Sequence, residues 1–273
     1  MNDPFKIIEP TVISFSGGRT SAYMRWRILQ SNQGLPSEAI VCFANTGKEE
    51  EATLEFVKDC GLNWGVLIHW LEYRASDTKF EEVNFQSASR KGEPFEALIT
   101  KKSYLPNPVT RFCTAELKIR TIHRYLKSIG WDHNENMDWC GIRADEPRRA
   151  LKMDRERVPL YTAGITAADI GKFWLEQAFD LGLPNRNGKT VHGNCDLCFL
   201  KGRYQVQSLI AEKPDRAVWW AAQEARIKSS GNYQGDGDRF RKDRPSYAQM
   251  LANVGEQTDM FADDEGIACY CGD

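Results

Sequence analysis

Two short β-branched runs, TVISF (residues 11–15) and AIVCFA (39–44), enclose a segment in which Ala22, Trp26 and Leu29 can share one helical face. Strand, helix and strand in that order make a βαβ unit, and a βαβ unit requires a parallel pair. A helical pattern, KEEEATLEFVKDCG, follows the Asn45-Thr46-Gly47 turn, with acidic residues early and a glycine stop. GVLIHWLEY (65–73) then supplies a third buried strand and MDWCGI (137–142) a fourth. The predicted fold class is therefore α/β, an open, mostly parallel twisted sheet with helices on both faces. Residues 74–108 lose their period and read as a long excursion near the carboxyl edge of the sheet. AELKIRTIHRYLKSIG (115–130) resumes a helix, Thr166 with Asp169 marks a capping box before another that runs through Trp174 and Phe179, and the portion after about Gly231 reads as loosely structured.

Between the first strand and its helix stands SGGRTS. A glycine pair there lets backbone N–H groups approach an anion, and the helix start adds partial positive charge. Ser14, Ser16, Thr20 and Ser21 add hydroxyls around Gly17 and Gly18, and Arg19 adds a guanidinium suited to phosphate oxygens. The loop matches neither G-x-x-x-x-G-K-[ST] nor G-x-G-x-x-G, so it is read as a phosphate loop of another kind.

The chain has 273 residues, 41% hydrophobic content and a formal net charge of −2, so its charge exerts no overall pull toward nucleic acid. Arg239, Arg241, Lys242 and Arg244 form a local basic cluster that reads first as a solvated loop and second as a nucleic-acid contact. Neither a signal peptide nor a membrane span is indicated, and a cytoplasmic location is expected. Eight cysteines in a reducing compartment point to metal, catalysis or burial. Cys195 and Cys198 form C-x-x-C in a glycine-flanked polar loop, which presents two thiolates to one metal or cluster. Cys42, Cys60 and Cys140 read as buried small hydrophobes. The four histidines lack metal-site spacing, and Trp174, Trp219 and Trp220 read as core. Lys118 and Arg120 face either a bound anion or solvent.

SGG-x-x-S resembles the pyrophosphate loop of the adenine nucleotide α-hydrolase superfamily, which includes ATP pyrophosphatases and phosphoadenosine phosphosulfate (PAPS) reductases. FANTGKEEEATLEFV, RFCTAELKIR, GIRADEPRR, LYTAGITAADIGKFW and GNCDLCFLKG resemble, in the same order, segments of PAPS reductase-like proteins of phage and prophage type, as do FRKDRPSYAQM and CYCGD in the tail. The resemblance implies an adenine nucleotide-binding α/β domain over residues 1–190, with a cysteine-containing C-terminal region, 191–273, packed on it. It implies nucleotide contacts at Asn45, Thr46 and Gly47, and at Arg143, which also lies at a strand end where ligands bind in open α/β sheets. Pro147 stands where the family has serine.

The resemblance further implies a 4Fe-4S cluster on Cys113, Cys195 and Cys198, although all-thiolate coordination suits zinc as well. Adenylylsulfate reductases carry tandem cysteines where this chain has Phe112-Cys113, so the fourth ligand is sought in the tail, at Cys271 or Cys269, with Cys271 favoured for its flexible glycine. The implied activity is ATP-dependent adenylation coupled to sulfur transfer, with a nucleic acid as one candidate acceptor and Arg143 at the transferred group. A thioredoxin-linked sulfonucleotide reductase, acting on PAPS or adenylylsulfate with Cys269 as nucleophile, is the alternative. A non-catalytic nucleotide or redox sensor is the third.

Overall fold

In a computed structural model, which describes residues 3–131, 138–186, 189–193, 195–233 and 237–254, the expected sheet is present. In chain order the elements are β1 (Thr11–Phe15), α1 (Arg19–Asn32), β2 (Ala39–Asn45), α2 (Glu51–Trp64), β3 (His69–Tyr73), β4 (Phe80–Val83) and α3 (Glu93–Lys102). A π-helical segment, Thr114–Ile119, runs directly into α4 (Arg120–Ser128). Then come β5 (Asp138–Cys140), the short α5 (Pro147–Ala150) and α6 (Pro159–Thr162), α7 (Ala167–Leu175), and the two-residue strands β6 (Asn185–Arg186) and β7 (Lys189–Thr190). The described residues close with α8 (Arg203–Glu212), α9 (Asp215–Ser230) and α10 (Tyr247–Ala252).

Five strands make one sheet in the order β4-β3-β2-β1-β5. β1 pairs in parallel with both β2 and β5, β2 pairs in parallel with β3, and β4 is an antiparallel edge. Successive side chains of a strand point to opposite faces. On one face Ile13, Phe15, Val41 and Phe43 pack with α1, α2 and α7. On the other, Val12, Ile40, Cys42 and Ala44 pack with Ile122, Tyr125 and Leu126 of α4. Both faces are covered, which is why the strands read as nearly continuous apolar runs.

Starting from β1, the chain builds toward β2 and β3 and later returns to place β5 on the other side of β1. This reversal puts the switch point of the sheet at the carboxyl ends of β1 and β5, and ligands of open α/β sheets bind near such points. A third cluster joins Tyr73, Phe95, Leu98 and Leu117 to Leu197, Val206, Trp220, Phe240 and Tyr247, so residues beyond 190 share a core with α3 and the π-helical segment.

Four expectations about local structure change. The helix that begins at the Thr166 capping box ends at Leu175, short of Phe179. The excursion at 74–108 contains β4 and α3, whose proline at the helix start and basic residues in the last turn are ordinary end signals hidden by the polar composition around them. α2 continues through Gly61 and ends at Gly65, in the left-handed conformation. The segment beyond 231 is not uniformly loose, because Ser246 and Gln249 form a capping box that starts α10. The capping box of Thr166 and Asp169 is present at α7. Among the described residues no helix is long and apolar enough to cross a membrane.

Candidate functional site

The loop after β1 turns at Gly17, whose φ is +80°. An added Cβ there would lie 2.6 Å from Thr53 Cγ2, so packing against α2 and backbone conformation both call for glycine. Ser16 N donates to Ser21 Oγ at 3.2 Å, and the two hydroxyls lie 2.8 Å apart. The first turn of α1 has neither a capping side chain nor an acidic residue, so the partial positive charge of the helix start is not compensated from within its own sequence. Gly141, just after β5, approaches so closely that a Cβ would sit 3.0 Å from Ser21 Cα. Two residues on, the buried Arg143 donates to Thr20 Oγ1 at 3.1 Å and to Asp145 Oδ1 at 3.0 Å. The segments carrying SGGRTS and GIRADEPRR therefore meet at the carboxyl ends of β1 and β5.

The Arg19 guanidinium grips both carboxylate oxygens of Asp180, at 2.7 and 2.5 Å, and also donates to Thr190 Oγ1 and Leu183 O. It fastens α1 to the segment after α7. Asn45 is similarly committed, donating to Glu72 Oε1 at 2.6 Å and Ser89 O at 2.9 Å while accepting from Gly47 N. It shapes the turn after β2 from beneath.

That turn reaches the cysteines. Thr46 Oγ1 lies 3.4 Å from Cys195 Sγ and 2.9 Å from both carboxylate oxygens of Glu49. Either Thr46 Oγ1 or Cys195 Sγ can donate in this contact. Burial, reinforced by Glu49, pushes the Cys195 thiol up to about 11, against the opposing pull of Lys118 and the contact with Thr46. Backbone pairing between Glu49 and Cys195, with a 2.7 Å bond from Asp196 N to Lys48 O, zips the turn to the C-x-x-C loop. Lys48 Nζ meets Asp196 Oδ2 at 2.9 Å, with both side chains at most 10% exposed. This buried pair is invisible to sequence reasoning because the two residues lie far apart in the chain and each reads as surface.

The C-x-x-C loop is also held from behind. Lys201 Nζ donates to Cys195 O and Asp196 O, Trp220 Nε1 to Asp196 Oδ1, Tyr247 Oη to Leu197 O, and Arg244 to Lys201 O. The basic cluster at 239–244 is thus corrected: Arg244 is buried behind the cysteines, Arg241 pairs with Asp243, and only part of the cluster faces solvent. The cost of leaving Arg244 or a loop carbonyl without its partner explains why the burial includes a full set of bonds.

Two clefts adjoin here. One, over the carboxyl ends of β1 and β2, is lined by Ser14, Ser16, Ala44, Ile119 and Ile122, together with Thr114 and Lys118. The other is lined by Cys113, Cys195, Cys198, Thr46, Phe95 and Trp220, again with Thr114 and Lys118. The π-helical segment forms the shared wall, its wider turn presenting side chains to both clefts. Lys118 Nζ lies 3.9 Å from Glu49 Oε1.

The three cysteines expected to ligate a metal therefore come to one largely apolar cleft, and none of the six described cysteines forms a disulfide. Cys269 and Cys271 lie outside the described residues. Among the described residues no group of three or more histidine, cysteine, aspartate or glutamate side chains is arranged to hold a metal ion. A single zinc ion needs every thiolate at about 2.3 Å. A four-iron cube places each thiolate on a different corner, and soft sulfur donors in an apolar cleft suit either group. Cys42, Cys60 and Cys140 are buried in the core, as their sequence positions indicate. Burial pushes the Cys60 thiol up to about 12. His69 pairs with Glu82, His123 with Asp138 and His192 with Glu212, while His133 lies outside the described residues.

Over 203 residues, 71% of this chain and 67% of the other, the protein is 29% identical to an uncharacterized nin region protein, ORF290, of Escherichia phage lambda. No family model and no solved structure matches it.

Proposed function

We propose that this protein is an adenine nucleotide-dependent enzyme of sulfur chemistry, of the PAPS reductase-like kind. It binds ATP at the carboxyl edge of the sheet and adenylates an acceptor beside a cysteine-held iron–sulfur cluster. The observation that carries the reading is the common wall of the two clefts, in which Thr114 and Lys118 face both the sheet edge and the cysteines.

In this reading the phosphates lie against the uncapped start of α1, where N–H groups and the Ser16 and Ser21 hydroxyls bind their oxygens. An acceptor atom attacks the α-phosphorus, the bond to the bridging oxygen breaks, and pyrophosphate leaves with that electron pair. Lys118 and Arg143 stabilise the charge that develops, from groups already fixed in place by Glu49 and Thr20. Cys113, Cys195 and Cys198 hold the cluster with a tail cysteine, Cys271 or Cys269. When bound, the cluster supplies electron storage and an iron site for sulfur. The residues of the chain orient the nucleotide, keep the cysteine cleft dry with Phe95, Phe199 and Trp220, and set Thr46 against the Cys195 sulfur.

Anaerobic titration of cluster-loaded protein with ATP, adenylylsulfate and PAPS tests the reading, with Ser16→Ala and Lys118→Met as variants. The expected result is tighter ATP binding, weakened about tenfold or more in each variant, with iron content unchanged in Ser16→Ala. Preference for a sulfonucleotide transfers the reading to the reductase, with the tail cysteines as its nucleophile and resolver. Binding of none of the three overturns it.

A further inference from the structure

Between Lys101 and Lys127 the chain places seven lysines and arginines against one acid, Glu116, although its formal net charge is −2. The structure gathers this excess. Glu116 accepts from Arg120 at 2.6 Å and Arg124 at 2.9 Å, with Lys102 Nζ at 3.8 Å, so one carboxylate faces three cations. These contacts, with burial opposing them, hold the Glu116 carboxyl below its ordinary range. Arg120, Arg124 and Lys127 stand at i, i+4 and i+7, on one side of α4. Arg120 and Lys127 are exposed, as is Lys101 at the end of α3.

We propose that this file of cations is the docking surface for the phosphodiester backbone of a nucleic acid, one strand of which is led to the mouth of the clefts. From Arg120 to Lys127 the helix rises about 10 Å, the span of about three phosphates on one strand. The file begins at the π-helical segment, whose Thr114 and Lys118 line both clefts, and Ile119 and Ile122 line the nucleotide cleft beside it. A linear row of cations that ends at a cleft matches a linear polyanion. A lipid surface would also need an apolar face to insert, and that of α4, Ile122, Tyr125 and Leu126, is spent on the sheet. The basic cluster at 239–244 is not the rival it seems from sequence, since Arg244 is buried and Arg241 is paired with Asp243. The docking surface stands without the nucleotide reading, whereas the role of the bound strand as acceptor rests on it.

The test is fluorescence anisotropy of labelled single-stranded DNA, duplex DNA and RNA with the full chain, without ATP, across a range of salt concentrations. The triple variant Lys101→Gln, Arg120→Gln, Lys127→Gln is compared, with circular dichroism confirming its fold. Binding to at least one nucleic acid is expected, and the slope of log affinity against log salt should fall by roughly 2 to 3 in the variant, about 0.7 to 0.9 for each phosphate no longer neutralised. Three results would overturn the proposal: no binding at low salt, an unchanged slope in the variant, or equal variant-sensitive binding to phosphatidylserine vesicles. Because ATP is absent, failure here is distinct from failure of the nucleotide titration.

Discussion

Tyr247 shows how much a single hydroxyl can carry in this protein. Its Oη donates to Leu197 O at 2.6 Å and accepts from Arg244 at 2.9 Å, in full burial, and burial pushes its phenol up. Tyr247→Phe keeps the ring and leaves a carbonyl and a guanidinium short of a partner. Urea denaturation should show a loss of about 1–3 kcal/mol. Asp180 carries a pH signature. Burial alone would raise its carboxyl, but the bonds and charge of Arg19 hold it below the ordinary 3.8. The unfolded carboxylate therefore takes up its proton first as pH falls. The stabilisation is complete well above 3.8 and is lost as pH drops through the lower folded value. Asp180→Asn should lower Tm at pH 7, and thermal melts of variant and parent should begin to approach each other near pH 3.8 and converge only below the lower folded value. At this scale, C-x-x-C and Cys113 were legible because cysteine is rare and its spacing carries chemistry. The contact of Arg19 with Asp180 was not legible, since the two residues are 161 positions apart and nothing local links them.

Among the elements, the turn from β1 into α1 tolerates least. At Gly17, alanine would meet both a positive φ and Thr53 Cγ2. Gly17→Ala should cost about 1–3 kcal/mol. Pairing it with Thr53→Ala removes the clash but leaves the backbone strain, so chemical denaturation should show partial recovery only. β1, β2 and β3 were legible from their apolar runs, because both faces of a parallel strand are buried. β4 was not, since the edge strand FEEV exposes its two glutamates and alternates too briefly to stand out. The π-helical turn has no composition of its own, and helical periodicity registers it only as helix.

For the whole molecule, the shared core of α3, the π-helical segment, α8, α9 and α10 argues for one cooperative unit. Differential scanning calorimetry should give a single transition for the full chain. A fragment of residues 191–273 should give none, because Trp220, Phe240 and Tyr247 would lose Phe95, Leu98 and Leu117 as packing partners. The architecture was readable from the order of runs and helical patterns, while the joining of the turn after β2 to the C-x-x-C loop was not, being made of contacts between residues about 150 positions apart. That joining also bears on inheritance. Lys48 and Asp196 are buried against each other, and losing either one strands a charge in the interior, whereas losing both leaves no buried charge and only the Trp220 indole N–H that Asp196 accepts. Descent should therefore treat the pair as one character: lineages that drop Asp196 should also have dropped Lys48, and chains assembled by recombination between the two positions should be selected against.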